Sequence, residues 1–170
     1  MINISETIRQ LTSSSEAMRA LVQSISPEQA QWKPNPETWS MKEVMEHVYN
    51  EERFDFRLRL NEMLNDPPEP WGFRHLDYIS TATCRQALES FLLEREASMA
   101  WLKALGSVDW DFRTQATFGP SHETMIFSAG DILVSWVAHD LLHIRQINEL
   151  HFAWNEKQAA PYSVQYAGGW

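Results

Sequence analysis

The feature that most constrains the fold is a helical spacing of apolar residues that recurs in four long segments. In the first segment Ile4, Ile8, Leu11 and Met18 follow one another at steps of three, four or seven, which keeps them on one helix face. Four amphipathic helices of this length predict an all-α fold, a four-helix bundle. The four segments are approximately residues 4–25, 40–64, 81–105 and 128–152.

The connections between these segments carry the helix-breaking residues. The stretch SPEQAQWKPNPETW allows only a short helical turn from Pro27 to Trp32, because its later prolines lack an amide donor. A capping box of Ser40 and Glu43 then starts the second helix. Residues 107–127 are expected to be the least regular part, with turn chemistry in FGPSHET. The connection over residues 66–80 could cross the whole bundle, so its length permits parallel second and third helices.

Length and composition limit the class of protein. The chain has 170 residues, which predicts one domain, residues 1–170. The net charge of −9 argues against a nucleic-acid partner. No stretch reaches the ~20 apolar residues of a membrane span, so no membrane partner is expected. MINISETIRQ lacks the pattern of a signal peptide, and the single cysteine, Cys84, is expected to be a small buried residue. A cytoplasmic location fits these features.

Two histidines in VAHDLLHIRQI occupy the inward face of the fourth helix. Trp136, His139, His143 and Gln146 follow steps of three and four within an otherwise apolar stripe. Polar side chains at such positions are costly unless something satisfies them. A single histidine there is most simply a hydrogen-bonded core residue. A pair at i and i+4 can instead direct both rings at one metal ion.

The second helix offers a third ligand. His47 lies beside Val44 and Val48 and therefore points toward the core. If the second and fourth helices are antiparallel, His47 lies at the level of His143. Three neutral imidazoles suit zinc, nickel, copper or iron and leave coordination positions open, which favours catalysis over a structural role. Zinc or nickel is the expected cofactor.

Acidic and amide side chains near the predicted ligands are candidates for catalysis. Glu51, one turn after His47, is the candidate catalytic base or hydrogen-bond partner of a ligand, although a solvated acid is an equal alternative. Glu52 and Asp55 are weaker candidates. Gln146 could orient a ligand or contact substrate.

Other polar residues and the aromatic residues near the site receive simpler interpretations. Asp140 and Arg145 lie off the ligand stripe and are interpreted as surface or interface residues. Ordinary surface or loop roles are expected for three further histidines, His75, His122 and His151. The substrate pocket is expected to be walled by Trp32, Trp39, Trp136 and residues 107–127.

Two other metal motifs fit the sequence less well. HDLLH is similar to the zincin motif H-E-x-x-H with Asp in place of Glu, but no well-framed third ligand follows it. A ferritin-like di-metal site needs Glu-x-x-His on two helices, and no Glu precedes His139 or His143 at that spacing.

The segments WKPNPETWSMKEVMEHVYNEE and HDLLHIRQI together resemble the DinB/YfiT-like superfamily of metal-dependent enzymes over nearly the whole chain. The resemblance implies a four-helix bundle of up-down-down-up topology, with His47, His139 and His143 as the metal ligands. It also implies a homodimer and a thiol-dependent transferase or isomerase chemistry, in which a divalent metal activates a low-molecular-weight thiol. Arg145 stands where the family usually has a small residue before the Gln.

Two functional hypotheses follow. In the first, the chain is an enzyme of thiol S-transferase or hydrolase type, in which a divalent metal activates a thiol or water for attack on a small electrophilic molecule. In the second, it is a non-catalytic dimeric bundle with a metal-binding or stress-associated role, whose eight tryptophans serve packing and a dimer surface.

Overall fold

The computed structural model describes residues 2–65, 78–117 and 124–168. Its elements, in chain order, are α1 (Ile4–Val22), α2 (Pro27–Gln31), α3 (Met41–Phe54), α4 (Phe56–Leu64), α5 (Cys84–Ala104), β1 (Arg113–Thr117), β2 (Thr124–Ser128), α6 (Ala129–Ala159) and a 3₁₀ turn (Gln165–Ala167). The four predicted helices correspond to α1, α3 with α4, α5, and α6. The all-α prediction is confirmed, with one small hairpin added.

Contacts between the helices establish their directions. In α1 and α5, Leu11 lies against Arg95 and Gln23 against Arg85, so these helices are antiparallel. In α1 and α6, Leu21 contacts His151 near the far ends of both helices, so they are parallel. The bundle is therefore up for α1 and α6, and down for α5.

The second helical segment shares the direction of α5. Its Glu46 bonds Thr81 just before α5 begins, whereas Arg57 bonds Glu94 further along. The residue numbers of both partners increase from the first pair to the second, so the α3–α4 segment and α5 are parallel. The up-down-down-up topology is thereby confirmed, and α3 is antiparallel to α6 as the placement of His47 requires.

Local capping explains where the helices begin. Ser40 and Glu43 form the predicted capping box of α3, and Ser128 and Asp131 form an equivalent box at the start of α6. Thr83 caps α5 by accepting a hydrogen bond from the Gln86 amide, so this helix begins three residues later than predicted.

Several predicted boundaries were wrong. The second helix is not continuous to Leu64, because the backbone at Asp55 leaves the helical region with φ −116° and ψ −88°. Residues 107–127, predicted to be the least regular part, contain β1 and all but the last residue of β2; the two strands pair antiparallel, with Arg113 opposite Ser128. The turn predicted at 118–123 lies outside the described residues. Helix α6 extends to Ala159 rather than Phe152. Gly106 does not cap α5, which ends with Leu105 in an extended conformation.

The interior has two apolar ends and a polar middle. One apolar cluster includes Met18, Val44 and Phe91, and the other includes Leu60, Leu102 and Trp136. Between them lie buried charged side chains and, toward α3 and α6, the histidines. None of the helices within the described ranges is both long and apolar enough to span a membrane.

Candidate metal centre

The structure brings the three predicted histidines together. His47 is on α3, and His139 and His143 are one turn apart on α6. The Nε2 atom of His139 lies 3.2 Å from that of His47 and 3.1 Å from that of His143. One ring nitrogen from each residue lies within 4.8 Å of the others. The antiparallel packing of α3 and α6 therefore places all three imidazoles at one level of the bundle.

The donor set fits a divalent metal ion. Two imidazole ligands at the usual 2.0–2.1 Å from a tetrahedral zinc are separated by about 3.3 Å, and the His139 separations are close to that value. Among the described residues, neither a cysteine nor a carboxylate joins the three histidines as a fourth donor. A metal ion held by these three histidines would keep an open coordination position, as in catalytic metal centres.

The surroundings keep the imidazoles neutral, which is the form that binds metal. Burial lowers the pKa of His47 to about 4, with a further contribution from the nearby His143. Burial also lowers the pKa of His139 to about 3, and its two histidine neighbours add to the effect. The pKa of His143 is lowered by burial as well, although its bond to Gln146 opposes the shift.

A neighbouring amide orients the His143 ring. The side-chain oxygen of Gln146 lies 2.9 Å from Nδ1 of His143. Because an amide oxygen only accepts, Nδ1 carries the proton, and Nε2 presents its lone pair to the other histidines. Gln146 therefore orients the His143 ring, as its first expected role requires. The second role, substrate contact, stays a prediction.

Glu51 lies on the other side of the cluster, beside His47. Its Oε1 atom is 3.8 Å from Nδ1 of His47 and accepts a hydrogen bond from the Tyr78 hydroxyl. Burial raises the pKa of Glu51 and, together with Glu51 itself, raises the pKa of Tyr78. The predicted candidate base thus lies next to His47, and its burial increases its basicity.

A cleft of about 250 Å³ opens beside His47. Trp39 flanks it with its ring 5.0 Å from that of His47, and Tyr78 flanks it at 6.4 Å. The other two predicted wall tryptophans lie elsewhere. Trp32 packs against Trp154, and Trp136 is fully buried against Phe56. Of the described side chains in that region, those of residues 107–115 and 124–127 do not line this cleft.

Asp140 is a buried residue, so its interpretation as a surface residue was wrong. It is 1% exposed and makes two hydrogen bonds to Arg95, whereas Arg145 is exposed as predicted. The error has a geometric cause. Asp140 lies seven residues from both Leu133 and Ile147, which are fully buried. Helix α6 contacts both α1 and α3, so it has a second inward face beside the ligand stripe.

The remaining candidates lie away from the centre. His151 is satisfied by the Leu21 carbonyl and by Gln29, which makes it a structural histidine between α6 and the α1–α2 region. His75 and His122 lie outside the described residues. Cys84 is buried as predicted, and burial raises its pKa to about 11. Asp55 pairs with Arg59, and Glu52 is buried with Arg95.

Three residues beside the centre were missed by the sequence reasoning. Arg95 falls on the apolar stripe of α5, one turn from Phe91 and from Met99, and a cation at that position was a readable signal. Phe56 contacts the His139 ring at 5.0 Å, which depends on the helix break at Asp55. Tyr78 follows a long connection, and no periodicity predicts its place.

Comparison with known proteins agrees with this fold. The structure of YfiT from Bacillus subtilis, described as a probable metal-dependent hydrolase with an unusual four-helix bundle topology, matches with a TM-score of 0.71. The match has 17% sequence identity and covers 91% of each chain. No curated protein sequence matches the chain. The family model of the DinB superfamily matches residues 10–147. The chain therefore belongs to the DinB superfamily.

Proposed function

We propose that the chain is a metal-dependent enzyme that activates a water molecule or a small thiol for attack on a small electrophile. A divalent metal, zinc or nickel, would be held by His47, His139 and His143. The observation that carries this proposal is the convergence of three neutral imidazoles without a fourth protein donor among the described residues. When bound there, the metal supplies Lewis acidity, which lowers the pKa of a coordinated water or thiol toward neutrality.

The neighbouring residues have separate roles in this proposal. Gln146 holds the His143 ring in the tautomer that leaves Nε2 free. Glu51 is positioned to accept a proton near His47, and burial raises its pKa, which makes it a stronger base than a solvated carboxylate. Tyr78 donates a hydrogen bond to Glu51 and holds that carboxylate in place.

The cleft beside His47 would bind the substrate. Its two carboxylates are already engaged, since Glu43 bonds Lys33 and Ser40, and Glu46 bonds Lys42 and Thr81. The free walls are the rings of Trp39 and Tyr78 and the Ile79 side chain. Such a cleft suits a small molecule with an apolar portion that packs on the rings while its electrophilic atom faces the histidines.

Water and a thiol are each favoured as the nucleophile by a different observation. The similarity to YfiT, a probable metal-dependent hydrolase, favours water. The thiol-dependent chemistry implied by the DinB-like motifs favours a thiol. Both nucleophiles use the same open coordination side and the same base, so a single assay series can separate them.

The test measures two reactions of the metal-loaded protein. Hydrolysis is followed with p-nitrophenyl esters, and thiol transfer with cysteine or glutathione and monobromobimane. We expect one of these reactions to require metal, to be lost in His143→Ala and to remain in His151→Gln. His151 is the matched control because it is a satisfied histidine on the same helix. Equal rates in wild type and His143→Ala would contradict the proposal.

A second candidate is a non-catalytic, dimeric metal-binding bundle. It is favoured by apolar side chains on the outer face of α6, where Leu141 is 58% and Leu142 is 55% exposed. A cytoplasmic homodimer formed through such a face would bury them. Metal-loaded protein that sediments as a dimer and catalyses neither reaction would favour this candidate.

A further inference from the structure

A buried ion cluster crosses the middle of the bundle and connects its four long helical segments. Arg95 of α5 donates two hydrogen bonds to Asp140 of α6, at 2.6 and 2.9 Å. It donates another to Glu52 of α3 at 2.8 Å, and one to the Leu11 carbonyl of α1 at 3.0 Å. Arg95 is 2% exposed, and each carboxylate is 1% exposed. We call these three residues, Arg95, Glu52 and Asp140, the Arg95 cluster.

Both carboxylates of the Arg95 cluster lie next in sequence to residues of the candidate metal centre. Asp140 follows His139 on α6, and Glu52 follows Glu51 on α3. The centre divides between the same two helices, with His47 on α3 and the other two ligands on α6. The distance from His47 to His139 therefore depends on how α3 and α6 are aligned. The Arg95 guanidinium bonds Glu52 on α3 and Asp140 on α6, and so it joins one position on each helix.

Aromatic side chains extend the cluster to a ligand ring. The Trp136 indole donates to Glu52 at 2.9 Å and thereby joins α6 to α3 a second time. Trp136 stacks on Phe56 at 5.8 Å, and Phe56 contacts the His139 ring at 5.0 Å. The position of the His139 ring is thus determined by packing that itself depends on Glu52.

Stability alone does not account for such a cluster. Removing charges from water is costly, and well-packed apolar residues of similar volume often replace a buried ion pair without loss of stability. Here two carboxylates share a single guanidinium, which makes the arrangement less favourable still. What directional hydrogen bonds supply, and apolar packing does not, is a single alignment of the helices that they join.

We propose that Arg95, Glu52 and Asp140 are positioning residues that set the separation of His47 from His139 and His143 for metal binding. This inference depends on the proposed function, because it assigns the cluster to the same metal centre. The cluster touches neither metal nor substrate in this role. It acts through the alignment of α3 with α6.

The test compares isosteric variants with a destabilised control. Asp140→Asn and Glu52→Gln keep the side-chain volume but weaken the bonds to Arg95. Leu102→Ala removes a fully buried side chain on the same helix as Arg95, two turns away and in the apolar cluster. Zinc affinity is measured by competition with a chromogenic chelator, and site geometry by the visible spectrum of bound Co²⁺. Circular dichroism confirms folding under the conditions used.

We expect each isosteric variant to bind zinc about 10-fold or more weakly, as outer-shell substitutions typically do, and to show shifted Co²⁺ bands. Leu102→Ala should keep the wild-type affinity and spectrum despite its lower stability. Wild-type affinity and spectra in the folded Asn and Gln variants would overturn the inference, as would equal weakening in Leu102→Ala. If wild type itself binds no zinc, the proposed function fails and the inference with it. A wild type that binds zinc beside unaffected variants overturns the inference alone.

Discussion

Two groups of polar side chains lie at the middle of the same bundle, and their surroundings differ. The Arg95 cluster is sealed from solvent, and its opposite charges bond one another. The three histidines are partly buried, and His47 lines a cleft. The Nε2 atom of His139 faces the Nε2 atoms of the other two. Opposite charges that satisfy each other are typical of structural polar groups. Three imidazole nitrogens that converge on one point are instead typical of a site that binds a metal ion.

The largest expected loss of stability comes from a substitution in the Arg95 cluster. Arg95→Met leaves two buried carboxylates without their cation and should lower the free energy of unfolding by about 3–5 kcal/mol. The same change in the exposed pair of Arg145 with Glu149 should cost less than about 1 kcal/mol. Urea denaturation measures both variants. Similar losses would mean that burial does not distinguish these two ion pairs.

Metal binding at the three histidines should stabilise the folded protein. Zinc at 100 times its dissociation constant should raise the free energy of unfolding of wild type by about 2.7 kcal/mol, because only the folded chain presents the three ligands together. His139→Ala should show no such gain, whereas His151→Gln should respond like wild type. Urea denaturation with and without zinc provides the comparison. A full gain in His139→Ala would place the zinc elsewhere on the protein.

The metal-free protein should lose stability in mild acid because of the histidines. Their pKa values fall from the usual 6.5 to about 4 for His47 and about 3 for His139. In the unfolded chain these two imidazoles bind protons from about pH 6.5 downward, whereas in the folded chain they stay neutral until about pH 3–4. Stability is complete above pH 6.5 and decreases below it, by up to about 1.4 kcal/mol per pH unit for each proton.

The histidine contribution can be isolated between pH 7 and pH 5, where few carboxylates titrate. His139→Gln should show a shallower loss of stability than wild type over this interval. His151→Gln is the control for removing any histidine. Equal slopes in wild type and His139→Gln would contradict the burial of neutral imidazoles at the centre.

The smallest expected effect concerns the hydrogen bond at the edge of the cleft. Tyr78→Phe removes the donor to Glu51 and should cost about 1 kcal/mol or less, because the tyrosine is half-exposed. Zinc affinity should not change, since the ligand rings keep their own contacts. Tyr162→Phe, at a largely exposed site, is the control. A clear loss of zinc affinity in Tyr78→Phe would include Tyr78 in the metal centre.

The sequence predicted the three histidines better than it predicted the Arg95 cluster. His139 and His143 lie on one helical stripe, and His47 lies beside Val44 and Val48, so all three could be placed on inward faces. These are local signals with a fixed period. The same periodicity predicts a single inward face for α6, and for that reason it places Asp140 at the surface.

Other features depend on contacts that are distant in sequence. The helix break at Asp55 contains neither Pro nor Gly, so the sequence does not predict it. It directly precedes Phe56, whose ring packs on His139. The pairing of β1 with β2 joins two short segments without clear alternation of apolar and polar residues. Tyr78 reaches the centre because Asn50 pairs with the backbone of Ile79, a contact across 29 residues.

The central claim is that the three histidines hold one divalent metal ion. The most direct test is the metal content and zinc titration of protein purified without a histidine tag, for wild type, His143→Ala and His151→Gln. We predict one metal ion per chain in wild type and in His151→Gln, and loss of stoichiometric binding in His143→Ala. Trace metal in all three proteins, or equal binding in wild type and His143→Ala, would contradict the claim.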